Sequence, residues 1–169
     1  MSEVRDTDKG WGRLVEMSQR SDMVVRVGIQ GKEAKAPHVD EDGVADDEGE
    51  DGALTNVEIG TIHEYGAPSV GIDERSFIRA TLDELSTKYV QLARDFGRSV
   101  IDGKRTREQA LGLFGARVCA DIVARIDDGR VTPGISEATK ARRRKKSSKP
   151  LLDTGQLKQA ITYVVGRRR

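Results

Sequence analysis

The sequence predicts an α+β fold in which a small antiparallel sheet packs against two long helices. Residues 23–29 (MVVRVGI) and 161–165 (ITYVV) are apolar, β-branched runs that are typical of strands. Between them, apolar residues recur at steps of three and four positions over residues 82–100 and again over residues 111–126, as in amphipathic helices. The order is strand, short helix, two long helices, short helices, strand, and this segregation favours α+β.

The first half of the chain also carries a short helix with signals at both ends. Thr55 is expected to cap its start, since Glu58 follows three residues later and completes a capping box. The helix should run to Tyr65. Gly66 then stops it at a position suited to a left-handed cap.

The two long helices have equally clear ends. The first should run as one helix to Val100 and close at Asp102-Gly103, while the second starts at Thr106, pairs with Gln109 in a capping box and ends at Asp128-Gly129. The second helix also carries small residues that allow a close helix neighbour, namely Gly112, Gly115, Ala116 and Ala120.

Two connecting segments complete the predicted fold. Residues 71–79 link the short helix to the first long helix and deliver Phe77 toward the core. Near the C-terminus, Asp153 or Thr154 should cap a helix over residues 155–160, which positions the last strand.

Length and composition favour a single domain, residues 1–169, with a modest core. Hydrophobic residues make up 36% of the 169, and one Trp, three Tyr and three Phe are too few for a large aromatic ligand pocket or a base-stacking platform. No apolar run is long enough to span a bilayer, and the polar, acidic residues 1–8 do not form a signal peptide. We therefore expect a soluble protein that is made in a reducing compartment and has no membrane partner.

The residue types that carry most chemistry are scarce. A single cysteine, Cys119, excludes an internal disulfide and a cysteine-cluster zinc site, and its place in the apolar stripe indicates an inert core thiol. His63 and Glu64 adjoin, but no Ser, Cys or second His accompanies them in a recognisable spacing, so we expect a surface or interface role. The sequence thus predicts no enzyme activity, no metal and no cofactor.

Charge is strongly separated although the net charge is only +1. Eight of the twelve residues 40–51 are acidic, seven of the ten residues 140–149 are basic, and the chain ends in three arginines, residues 167–169. The acidic run predicts a flexible loop over residues 40–53, with two alternatives: a solvated loop, or an arm that docks on a basic segment of another subunit.

The basic run also has two readings, a solvated face or a contact with the phosphate backbone of nucleic acid. A contact with phosphate would not depend on the nucleotide sequence. The residues that would make such a contact, with DNA or with an acidic partner, are Arg142, Arg143, Arg144, Lys145 and Lys146.

Two segments carry a family resemblance. The first is LTNVEIGTIHEYGAPSVGIDERSFIRATLDE, residues 54–84, and the second is PLLDTGQLKQAITYVV, residues 150–165. In their order and spacing they resemble the neck and tail-completion proteins of long-tailed bacteriophages, a group also described as head-tail connector, virion-morphogenesis or putative tail-component proteins. Asp73 departs from that pattern, in which a proline is expected, and the acidic loop has the character of an insertion.

The resemblance implies a non-enzymatic structural protein of the virion, made in the host cytoplasm. Such proteins assemble as homo-oligomeric rings, hexameric or dodecameric, between the portal-side connector and the tail tube or terminator. A variant joins this reading to the nucleic-acid reading: in such a ring the basic residues of this chain line the lumen and contact genomic DNA without sequence preference. The matched residues expected to fix the fold and the adjoining interface are Glu64, Tyr65, Gly66, Arg75, Phe77, Asp153, Thr154 and Gly155. The alternative function is a nucleic-acid-associated accessory protein that binds phosphate through its basic segment.

Overall fold

The computed structural model describes residues 12, 15, 22–36, 54–134 and 155–168. Its helices and strands are β1 (Met23–Ile29), α1 (Asn56–Tyr65), α2 (Ile78–Glu84), α3 (Ser86–Ile101), α4 (Arg107–Asp127), α5 (Gln156–Gln159) and β2 (Ile161–Arg167), with 3₁₀ turns at Glu33–Lys35 and Pro68–Val70. The predicted α+β class is confirmed. The acidic loop 40–53, the basic segment 140–149 with residues 142–146, and the expected cap residues Asp153 and Thr154 lie outside the described residues.

The two strands pair antiparallel although they come from opposite ends of the chain. Met23 lies opposite Arg167 and Ile29 lies opposite Ile161. The first strand has the predicted bounds, and the last strand is two residues longer than predicted because Gly166 and Arg167 continue the ladder. Since this pairing joins residues about as far apart in sequence as the chain allows, the sheet depends on the helices between them.

Helix α4 lies between the sheet and the other long helix. It contacts both strands on one side and α3 on the other. The buried core forms around it and comprises Phe77, Tyr89, Val118, Ile122, Ile126, Val131, Leu157 and Ile161. Cys119 packs against this cluster, as predicted, and burial raises the pKa of its thiol.

The sequence predicted that another helix packs closely against the small residues of α4. Within the chain, the element that packs against Gly112 and Gly115 is instead the sheet. A Cβ atom added at Gly115 would lie 2.7 Å from Val25 Cγ2 and 2.7 Å from Tyr163 Cγ. Such a separation is shorter than atoms tolerate, so glycine lets α4 settle onto the boundary between the two strands.

The first long helix, predicted as one, is two. Residues 78–84 and 86–101 are separated by Leu85, whose φ of −102° and ψ of 14° leave the helical region. One turn earlier, the Thr81 hydroxyl donates to the carbonyl oxygen of Phe77 at 2.6 Å, a bond to the preceding turn that often bends helices. The Leu85 N–H still donates to the Thr81 carbonyl at 3.0 Å, so the junction is a bend with the ladder kept.

The predicted capping boxes are confirmed at Thr55 and Thr106, whose hydroxyls accept from the N–H groups of Glu58 and Gln109. Gly66 ends α1 as predicted, but its conformation, φ 74° and ψ 171°, is not the left-handed helical one. The extended ψ turns the chain back, and Ala67 and Ile72 then pair as an isolated bridge.

The C-terminal helix is shorter than the expected range 155–160. It spans Gln156–Gln159, and its N-cap position is Gly155, which adopts a left-handed conformation with φ 77° and ψ −1°. Across the described ranges, no helix is both long enough and apolar enough to cross a bilayer.

Candidate functional site

The candidate site is the junction between α1 and α2, where five of the residues singled out from the sequence meet. Glu64 lies in the last turn of α1 and is only 5% exposed. The interface role expected of it stays a prediction, whereas the expected surface role is wrong. The reason is that its carboxylate faces the start of α2 and is enclosed by it.

The Glu64 carboxylate accepts five hydrogen bonds from consecutive residues. Oε2 accepts from the N–H groups of Phe77 and Ile78, both at 2.9 Å. Oε1 accepts from the Ser76 hydroxyl at 2.8 Å, the Arg79 N–H at 2.8 Å and Arg79 Nε at 3.2 Å. The first N–H groups of a helix have no partner within the helix, so Glu64 caps α2 from a distant point in the sequence.

Electrostatics fit this structural role. Burial alone would raise the pKa of Glu64, but the N–H groups of Ile78, Arg79 and Phe77 and the Ser76 hydroxyl outweigh it and hold the pKa below the ordinary value of 4.5. A carboxylate with a lowered pKa and occupied oxygens is a poor proton acceptor. The hydrogen bonds and the lowered pKa of Glu64 therefore favour a structural role for this residue over a role as a general base.

Arg79 completes the junction and was missed among the candidate residues. Its Nη2 donates to the Glu64 carbonyl at 2.7 Å and to Glu74 Oε1 at 2.8 Å, and its guanidinium lies 4.5 Å from the centre of the Tyr65 ring. The sequence signal was present, since Arg79 closes the motif E-R-S-F-I-R. Its partner Tyr65 is 60% exposed, so the stacked pair lies at the surface.

The loop between the helices is held by backbone as well as side chains. The N–H of Arg75 donates to the His63 carbonyl at 2.7 Å, and Arg75 Nε donates to the carbonyl of Pro133 at 3.1 Å. Gly66 allows this path because an added Cβ would lie 2.8 Å from the backbone nitrogen of Glu74. The loop thus delivers Phe77, whose side chain is fully buried, into the core.

The second matched segment meets the first through the core. Leu157, in α5, is 3% exposed and belongs to the same cluster as Phe77. A Cβ at Gly60 of α1 would lie 3.1 Å from Leu157 Cδ1 and 2.0 Å from Ile29 Cδ1, so α1, α5 and β1 approach closely there. Gly155 stands at the N-cap position of α5.

Two further polar clusters join the helices to one another. The Asp121 carboxylate of α4 receives Lys88 Nζ at 2.8 Å, the Tyr89 hydroxyl at 3.2 Å and Arg117 Nε at 3.3 Å. Burial, together with the charge of Asp121 and its bond to the hydroxyl, raises the pKa of Tyr89. The Glu84 carboxylate at the end of α2 receives Arg125 and Arg130.

The Asp121 and Glu84 carboxylates thus connect helices to one another or to the segment that follows α4. In the part of the chain that the structure describes, no group of three or more His, Cys, Asp or Glu residues is placed to hold a metal ion. The predicted basic contact residues 142–146 lie outside that part, so the contact stays a prediction.

Comparisons of the chain with protein-family models, with curated proteins and with solved structures find no match.

Proposed function

We propose that this protein is a structural subunit of the head-to-tail junction of a long-tailed bacteriophage, a neck or tail-completion ring subunit. The observation that carries the proposal is the use of the resembling motif. Glu64, Gly66, Arg75 and Phe77 build the α1–α2 junction, with their polar groups in hydrogen bonds and the Phe77 ring in the core.

This use supports a structural protein because the motif then specifies shape. A catalytic motif presents a reactive group to a cleft, whereas here the one buried carboxylate faces five donors of its own chain. Of the five matched residues at the junction, Tyr65 is the exposed one, and it carries the stacked Arg79. This pair is the part of the motif we assign to the contact with a neighbouring subunit.

The surface also suits a subunit completed by neighbours. Large apolar side chains stand in water at several places outside the β2 edge, namely Val57, Tyr65, Val70, Leu82 and Val90. Among the described residues the sheet has two strands, and small sheets are usually stabilised by further strands or partners. In the proposed ring, hexameric or dodecameric, head-to-tail contacts between copies cover such surface.

The proposed neighbours are the portal-side connector and the tail tube or terminator. The test is quantitative mass spectrometry of purified particles of the phage that encodes this chain, with the portal protein as the internal reference. We expect the protein in six or twelve copies per particle. Its absence from purified infectious particles would contradict the proposal, whereas a host protein carried through the same purification measures the background.

The second candidate is a nucleic-acid-associated accessory protein. The observation that favours it is the C-terminal end of β2, where the Arg167 side chain is 86% exposed, with Asp22 Oδ2 at 3.6 Å from its Nε. It predicts retention on DNA that weakens steeply with salt, since each phosphate contact releases counterions. Absence of retention on DNA at low salt would exclude this function. A ring that touches genomic DNA would show both salt-dependent retention on DNA and a fixed copy number in the particle.

A further inference from the structure

An open groove runs between the outer edge of β2 and the N-terminal half of α4. Its volume is about 980 Å³. Two surfaces form it: the helix contributes Gly112, Leu113 and Ala116, and the strand contributes Tyr163 and Val165. Lys104 and Arg105 stand at one end.

Within the described ranges, the strand side of the groove is an edge without a pairing strand. The N–H of Gln30 donates to the Ala160 carbonyl at 3.2 Å, and the N–H of Arg168 donates to the Asp22 carbonyl. In the observed register, these bonds flank the pairs Ile29–Ile161 and Met23–Arg167, so alternate residues of β2 direct their N–H and C=O groups away from β1. Tyr163 and Val165 are two of them, and within the described residues none of their four backbone groups has a hydrogen-bonding partner.

Two features that usually prevent the pairing of an edge with another chain, charged residues and proline, are absent from this edge, residues 161–166. Apolar side chains are exposed along it, since Val164 is 46% and Tyr163 36% exposed, and Leu113 across the groove is 45% exposed.

We infer that the occupant of this groove is a second copy of the chain, whose β2 pairs antiparallel with the first about a two-fold axis at Val164. In that register Tyr163 of each copy lies opposite Val165 of the other. Each pair exchanges two hydrogen bonds, so all four unpaired groups of each copy gain a partner. The result is a four-stranded sheet, which is more stable than two strands alone.

The helix spacing agrees with this arrangement. Gly115 places α4 over the boundary between β1 and β2, so that two copies of α4 are separated by two strand spacings, about 9.6 Å. Packed helices are typically 8–10 Å apart. Gly112 and Ala116, which face the groove, are small enough for that approach, and each helix fills the groove of the other copy.

Charge selects the antiparallel direction. Arg167 of one copy lies opposite Ile161 of the other, and the two Arg167 residues are about 20 Å apart along the strands. Their repulsion is then screened at physiological ionic strength, where the Debye length is about 8 Å. A parallel pairing would set the two arginines side by side.

This contact is isologous and cannot by itself close a ring, which needs head-to-tail contacts. It therefore goes beyond the proposed function, and its test uses the purified full-length chain without any phage particle. Either proposal can fail while the other stands.

The first test is a cross-link. In a C119S background, V164C should form a disulfide-linked dimer under mild oxidation, because directly opposed residues in such a pair have Cα atoms about 4.5 Å apart, within disulfide reach. The matched control is V57C, an exposed valine on α1, for which we expect little cross-linking. Cross-linking of V164C no faster than that of V57C would overturn the inference.

The second test measures association by sedimentation velocity. L113K buries a lysine in the groove and should weaken the dimer at least tenfold, roughly the effect of losing one well-buried interface contact. V90K makes the same change at a 51% exposed position on α3 and should leave the dimer unchanged. A wild-type chain that stays monomeric at high micromolar concentration, or equal association of L113K and V90K, would contradict the two-fold contact.

Discussion

At the residue scale, the fold depends on one buried carboxylate. Glu64 is remote in sequence from the helix it caps, and three backbone N–H groups, those of Phe77, Ile78 and Arg79, depend on it. Buried donors without an acceptor cost free energy, and hydrogen bonds to a charged group are stronger than those between neutral groups. The carboxylate therefore links the end of α1 to the start of α2.

The substitution E64Q tests this link. It keeps the shape of the side chain but replaces one carboxylate oxygen by an NH₂ group, which faces the N–H and O–H donors of residues 76–79. We therefore expect the free energy of unfolding to fall by about 2 kcal/mol. E108Q makes the same change at an exposed glutamate in the first turn of α4 and should cost less than about 0.5 kcal/mol. Urea unfolding followed by circular dichroism measures both, and equal losses would contradict the capping role.

The pH dependence of stability gives a second measurement on the same group. The pKa of Glu64 in the folded chain is below its ordinary value of 4.5, so the ionised form stabilises the fold above that value. As the pH falls through the lowered pKa, the carboxylate is protonated and that stabilisation is lost. We therefore expect the difference in unfolding free energy between wild type and E64Q to be constant near neutral pH and to shrink below about pH 4.5. A difference that does not change with acidification would show that the charge is not what matters.

The sequence carried part of this site. Glu64, Tyr65, Gly66, Arg75 and Phe77 were singled out from the sequence, and the structure brings these residues to one junction. The partner of the carboxylate was not predictable, because a cap supplied from thirteen residues away leaves no local signature. Glu64 was expected in a surface or interface role because no catalytic partner accompanies the His63-Glu64 pair in the sequence.

At the element scale, two glycines in neighbouring long helices have opposite roles. Gly115 of α4 lies against Val25 and Tyr163, where an added Cβ would be 2.7 Å from each. Gly97 of α3 has nothing within 4 Å of an added Cβ. The first is required by packing, whereas the second only weakens its helix.

The two substitutions to alanine should therefore act in opposite directions. G115A forces α4 away from the sheet and should lower the unfolding free energy by about 1–3 kcal/mol. G97A removes the conformational freedom of glycine in a helix and should raise it by about 0.5–1 kcal/mol. Thermal unfolding of the two variants beside wild type measures both signs, and a stabilising G115A would disprove the close approach of α4 to the sheet.

Elements whose signals are local were predicted well. The capping boxes at Thr55 and Thr106 and the strand over residues 23–29 all follow from neighbouring residues, and all are confirmed. The bend at Leu85 was not predicted because the apolar periodicity continues through it. The neighbour of Gly115 was also not predictable, because small residues on a helix indicate close packing but do not indicate whether a helix or a sheet packs there.

At the scale of the whole molecule, the first and last described strands pair with each other. β1 and β2 pair across the full length of the described chain, and the core around Ile122 and Ile126 holds the segments between them. The fold thus depends on long-range contacts between its first and last described strands. Periodicity predicted the class, but the pairing of the end strands follows from packing that no short stretch encodes.

The central claim is that this subunit joins heads to tails, and electron microscopy of lysates from the phage with a nonsense mutation in this gene tests it most directly. We expect separate heads and tails, with joining restored by the wild-type gene supplied in trans. The gene carrying E108Q, which leaves the α1–α2 junction intact, is a control variant and should restore joining as the wild-type gene does. Normal infectious particles from the nonsense mutant would contradict the structural role and leave the nucleic-acid function as the better account.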